Sequence, residues 1–90
     1  MGWTPLHQAA WKNNVAVAKF LIENSADVDS ANNRGETPLF EAAYKNSIDV
    51  AELLIAHSAN LNAINVYGIS PLQVARNTRH HEMVDLLKNA

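Results

Sequence analysis

Apolar positions in this chain follow two periods at once. The short period is helical. Over residues 15–23, Val15, Ala18 and Ile22 fall on one side of a helix at about 100° per residue, and Val17, Phe20 and Leu21 on a second side. Ala16, Lys19 and Glu23 form a third stripe, which becomes Asp49, Glu52 and Ala56 and then Glu82, Asp85 and Asn89 further along. A helix covered on two sides and wetted on one is what a position between a preceding and a following neighbour demands. The pattern predicts such helices over residues 15–23, 48–56 and 81–89, each preceded by a shorter helix over 5–12, 38–45 and 71–78.

The long period is 33 residues. Gly35-Glu36-Thr37-Pro38-Leu39 lies over Gly2-Trp3-Thr4-Pro5-Leu6 on one side and Gly68-Ile69-Ser70-Pro71-Leu72 on the other. The register then holds without a gap through Ala9/Ala42/Ala75, Val17/Val50/Met83 and Leu21/Leu54/Leu87. Self-similarity of this kind means stacked units, each too small to bury its own apolar side alone. The expected organisation is one domain over residues 1–90, with repeats at 2–34, 35–67 and 68–90.

Local chemistry agrees with that division. Thr4-Pro5, Thr37-Pro38 and Ser70-Pro71 read as a hydroxyl N-cap followed by proline at the first helical position, where a missing N–H costs nothing. Asn13 and Asn46 stand where the first helix of each unit ends, and Asn tolerates the left-handed conformation. Arg79 holds that place in the last unit and fits it less well. The segments 27–34 and 60–67 are polar turn-formers around Val28 or Leu61, read as extended arms turning near the following glycine.

The last unit differs from the others in one respect. Val15/Ile48 becomes His81, Ile22/Ile55 becomes Lys88 and Ala10/Ala43 becomes Arg76, while Leu21/Leu54/Leu87 stays apolar. Three columns turn polar only where nothing packs beyond, which identifies a capping repeat with a wettable outer face. The first unit shows no compensating change in its Val17, Phe20 and Leu21 stripe. The expectation is a chain cut from a longer array, with weak self-association through the uncapped first repeat.

Bulk properties narrow the function classes. An apolar fraction of 48% supports a folded core. A net charge of −2 argues against nucleic acid and against an acidic membrane surface as partners. That charge is uneven, being 0 over residues 2–34, −3 over 35–67 and +1 over 68–90. Cysteine is absent, which excludes a disulfide framework and a thiol nucleophile. With no secretory signal at the N-terminus, these features point to an intracellular, cytoplasmic setting.

The repeated motif resembles the ankyrin repeat, whose period is 33 and whose signature is G-x-T-P-L-H-x-A-A. The first unit carries it as Gly2-Trp3-Thr4-Pro5-Leu6-His7-Gln8-Ala9-Ala10. The resemblance spans essentially the whole chain. It implies an all-α solenoid of stacked helix-turn-helix units with short β-hairpin or turn arms. Several positions depart from the pattern. The signature His is Phe40 in the second unit and Gln73 in the third, so a His–Thr hydrogen bond is available only in the first. The Gly-His after the first helix is replaced by Asn13-Asn14, Asn46-Ser47 and Arg79-His80. Ser25 and Ser58 stand where the family has a glycine ending the second helix.

Motifs for chemistry are weak beside this signal. Asp27, Asp29 and Asn32 imitate the start of a calcium loop, but the sixth position is Asn32 rather than Gly and the twelfth is Pro38 rather than Glu. Neighbouring His80, His81 and Glu82 diverge around a helix and lack metal-ligand spacing. No glycine-flanked serine elbow occurs. No enzyme activity, cofactor or metal is therefore expected.

The aromatic and variable columns are more informative. Trp11 and Tyr44 share a column that ends in Asn77, beside Lys12 and Lys45. The resemblance puts this column on the concave face, where Trp and Tyr have the composition of binding anchors. The alternative is that the two rings stack and merely cover their own helices. Trp3, Glu36 and Ile69 form a second variable column, with Asn33, Arg34, Val66 and Tyr67 just before it. Phe20 and Phe40 are expected in the core. The expectation is a non-catalytic protein–protein interaction module presenting a concave helix and hairpin surface. The alternative is the capping end of a longer ankyrin array whose recognition surface lies upstream.

Overall fold

The computed structural model describes residues 2–90. The described residues form six helices and no strand: α1 Pro5–Lys12, α2 Val15–Glu23, α3 Pro38–Lys45, α4 Ile48–Ala56, α5 Pro71–Asn77 and α6 His81–Lys88. Helices α1, α3 and α5 pack in sequence as one layer, and α2, α4 and α6 form the other. Leu6, Leu39, Leu54, Val50 and Met83 fill the space between the layers. Ala10, Ala42, Ala43, Ala51 and Ala75 are fully buried there. Small side chains at these points let helices of adjacent units approach closely.

The cap chemistry read from the sequence is present. Thr4, Thr37 and Ser70 each accept a hydrogen bond from the amide three residues on, with proline opening the helix. In the first unit His7 completes a reciprocal box. Its Nδ1 accepts from the Thr4 amide at 3.1 Å, so Nε2 carries the proton and donates to the Glu36 carbonyl at 2.7 Å. His7 is fully buried, and this bond ties the first unit to the turn of the second. Asn13 and Asn46 adopt left-handed φ of 52° and 58°. Asn13 also reaches forward, its Oδ1 accepting from the Val50 amide at 3.0 Å, so it caps a helix of the next unit.

The third unit ends its helices one residue earlier than expected on each, at Asn77 and Lys88. The hydroxyl of Thr78 donates to the Val74 carbonyl at 2.8 Å, and Arg79 takes the left-handed conformation at φ 59°. Helices α2 and α4 close in one geometry. The Ala26 amide bonds the Leu21 carbonyl and the Ala59 amide bonds the Leu54 carbonyl, with Ser25 at φ 71° and Ser58 at φ 65° between.

The arms are tight hydrogen-bonded turns. Gly35 N–H donates to Asn32 O and Asn32 N–H to Glu36 O, and Asn65 with Gly68 and Ile69 repeats the arrangement. The Val66 amide bonds the Arg34 carbonyl at 2.8 Å and joins one arm to the next. Asp27 and Asp29 serve this region structurally. Asp27 Oδ1 accepts from the Asp29 amide, and Asp29 Oδ1 from the Asn60 amide of the following arm.

The two ends of the stack differ. Arg76, His81 and Lys88 are exposed on the last unit, as a polar outer face requires. At the other end one expectation is corrected. Phe40 is in the core at 7% exposure, but Phe20 is 62% exposed. Phe20 lies on the stripe whose equivalents Leu53 and Leu86 are half-buried against the preceding unit, and α2 has no such neighbour among the described residues. Val17, on the same stripe, is exposed with it.

Candidate functional site

The columns singled out in the sequence meet on the face formed by α1, α3, α5 and the turns. There Trp3, Trp11 and Tyr44 run as a continuous aromatic strip. Trp3 meets Trp11 edge to face at 5.5 Å between ring centroids, and Trp11 stacks on Tyr44 at 5.6 Å with planes 27° apart. Contacts of this kind add about 0.5–1.5 kcal/mol each beyond area burial. The rings therefore support one another, yet Tyr44 remains 45% exposed and Trp3 38%. Lys45 places Nζ 4.7 Å from the Trp11 ring centroid, so the strip already holds one cation of its own chain.

Beside the strip lies a cleft of about 630 Å³. Trp3, Trp11 and Tyr44 form one wall, with Asn33, Arg34 and Glu36 from the first turn, and Tyr67 and Ile69 from the second, completing it. These eight were candidates from the sequence. The other four lie outside the cleft. Lys12 borders a second, smaller hollow with Trp3 and Val17. Lys45 lines a third with Tyr44, Thr78 and His80. Val66 and Asn77 are exposed and line none of these hollows.

The cleft also contains residues that the sequence did not mark: Asn32, Phe40, Glu41, Asn65 and Val74. Glu41 is the most consequential. It sits on α3 with 2% of its surface exposed. Asn32 Nδ2 donates to Glu41 Oε2 at 3.4 Å and to Glu36 Oε1 at 3.3 Å, and Asn65 Nδ2 donates to Glu36 Oε2 at 3.4 Å. The two asparagines are themselves fixed, because each Oδ1 accepts two amides of its own turn. Burial pushes the Glu41 carboxyl up to about 8; the charge of Glu36 and a hydrogen bond with it push the same way, and Arg34 opposes them. At neutral pH Glu41 is mostly protonated.

A two-layered stack of helix pairs repeated in register defines a helical repeat solenoid. The profile of ankyrin repeats in three copies matches residues 6–90. The chain belongs to the ankyrin-repeat family, whose members generally mediate protein–protein interactions and are typically non-catalytic. No curated protein matches the chain closely enough to count as a relative. No helix among the described residues is long and apolar enough to cross a membrane.

Proposed function

We propose that this chain is a non-catalytic interaction module that binds a protein partner along the Trp3–Trp11–Tyr44 strip and the cleft beside it. The observation that carries this reading is a strip of large rings held by one another and left partly open beside a cleft of about 630 Å³. Rigid aromatics lose little entropy on binding and dominate interface energetics. The strongly perturbed acid Glu41 accepts from Asn32 and lies beside Glu36, with no nucleophile hydrogen-bonded to it among the described residues, which suits recognition better than turnover. A cytoplasmic location fits the absence of cysteine.

The test is to select peptides and small domains that bind the immobilised chain and map them by amide chemical-shift changes. Shifts centred on Trp3, Trp11, Tyr44 and Tyr67 support the proposal. Binders that touch only α2, α6 or the arm tips overturn it.

A second reading is favoured by a separate observation, the exposed Val17 and Phe20 beside a polar opposite end. In it the chain mainly terminates a longer stack and recognition lies elsewhere. Under that reading the selected binders would cover the α2 face.

A further inference from the structure

The cleft carries an aromatic strip beside two acids, and neither acid is hydrogen-bonded to a cation among the described residues. Among the described residues, the hydrogen-bond donors to Glu36 and Glu41 are side-chain amides at 3.3 to 3.4 Å, and no Lys, Arg or His donates to either. Arg34 borders the same cleft but stays exposed and makes no such bond. Buried carboxyls are ordinarily paired with a cation or lose their charge. Burial and the neighbouring Glu36 push Glu41 toward its neutral form in the unbound cleft.

We propose, on the reading that the cleft binds a protein partner, that the partner anchors there through an arginine side chain. Its guanidinium would lie against Trp3, Trp11 and Tyr44 and donate to Glu36 and Glu41. Three features of the cleft fit this group. The guanidinium is planar and stacks on aromatic faces, which the strip provides. It presents several donors in a fixed fork, which two adjacent carboxyls can accept together. Lys45, which lies outside the cleft, is an example within this strip of a cation resting on an aromatic ring. The carboxyls are also placed in advance, since Asn32 and Asn65 are locked to their turns by main-chain hydrogen bonds.

Binding is then linked to a proton. The titratable or charged groups that line the cleft with Glu41 are Glu36 and Arg34 from the preceding turn, Tyr44 from its own helix and Tyr67 from the following turn. Helix α1 brings Trp11 and helix α5 brings Val74, neither of them charged. An arriving guanidinium favours the ionised form of Glu41, so its proton leaves and affinity rises with pH.

The experiment uses the whole chain and two probes. One is a five-residue Gly/Ser peptide with one central arginine; the other has citrulline, a neutral near-isostere, in its place. The arginine peptide is expected to move the indole N–H signals of Trp3 and Trp11 saturably, and the citrulline peptide is not. Affinity for arginine should rise at least about threefold between pH near 6.5 and near 8.5 as Glu41 ionises. Glu41→Gln keeps the shape and the bond from Asn32. It should weaken binding and remove the pH rise, with the circular dichroism spectrum unchanged. Adding Glu36→Gln should weaken binding further. Equal affinity for citrulline, or arginine binding that survives both substitutions, overturns the proposal, and so does an absence of indole shifts at millimolar peptide. The selection described under the proposed function separates the two readings. Binders that occupy the cleft without a basic residue leave the interaction surface standing and remove the arginine. Binders that avoid this face remove both.

Discussion

Glu41 gives the most searching test of the physical account, because it should make the fold weaker as pH rises. The carboxyl titrates near 8 in the folded state and near 4.5 when unfolded. Between these values the folded state holds a proton that the unfolded state has released. Stability is therefore fully present below pH about 4.5, falls as pH rises through the window, and levels off above about 8. The slope approaches about 1.4 kcal/mol per pH unit, which sets an upper limit of about 5 kcal/mol across the window. Relaxation of the surroundings around the ionised carboxylate lowers this, so about 2 kcal/mol is the working figure. Glu41→Gln removes the titrating group, keeps an acceptor for Asn32 Nδ2 and keeps the volume. Urea unfolding of both proteins at pH steps from 5 to 9 isolates the effect, since every other titrating group is common to them. The wild type should lose stability relative to the variant as pH rises. Near pH 8.5 the variant should be the more stable by about 1–2 kcal/mol. Parallel curves over the whole range would mean that Glu41 is ordinarily hydrated, and the reasoning from burial would be wrong.

Further outcomes follow from other parts of the molecule. Ser58 holds φ 65°, a conformation that costs an L residue about 1–2 kcal/mol, and glycine returns roughly 0.5–1 of that as unfolded-state entropy. Ser58→Gly should therefore stabilise by about 0.5–1 kcal/mol and raise Tm by about 2–8 °C in calorimetry; a fall in Tm would refute the cap argument. Trp11→Ala and Tyr44→Ala should each weaken a selected concave-face binder by more than about 1 kcal/mol in isothermal titration. Each should cost less stability than that, whereas Leu54→Ala, fully buried, should cost about 2–5 kcal/mol. Val17 and Phe20 should leave the first unit the least protected, with faster amide exchange over residues 5–22 than over 38–55. The same surface should support a weak dimer in sedimentation that Phe20→Ser and Val17→Ser abolish, and uniform protection with a strict monomer would oppose both.

The helices were legible because each carries several independent signals that agree. Thr or Ser before Pro fixes the start, Asn13 and Asn46 mark the end, and the apolar stripes set the face. With these in register three times over, the bounds of α1 to α4 match the expectation to the residue. The polar outer face of the last unit was legible for a similar reason, since a column that changes only in its last copy reports a change in neighbours. What the sequence could not supply were contacts made between units. That Asn13 caps α4 depends on two units stacking closely enough for a 3.0 Å bond. Phe20 misled because an aromatic in an apolar stripe reads as core wherever a neighbour exists to cover it. The same stripe reads as uncovered on the first repeat, and only the assignment of Phe20 itself to the core fails.

Glu41 was hidden for a different reason. In its column it stands between Gln8, which is exposed, and Val74, which is buried, so the column predicts nothing. An acid in the first turn of a helix also has an ordinary explanation in the helix dipole. Only the stack reveals that Asn32, Glu36 and the aromatic strip enclose it. Once enclosed, it contradicts the caps and core packing around it, where local preference and global packing agree. Helix caps, turn glycines and buried alanines all lower the energy of the fold, while a buried acid beside another acid raises it at neutral pH. A valine fills the equivalent place in α5, so the repeat does not need an acid there. Positions that break the local rules without benefit to the fold are where function is expected to reside. In this molecule that position lies in the cleft beside the aromatic strip, and the cost of keeping Glu41 there falls when a cation arrives to share it.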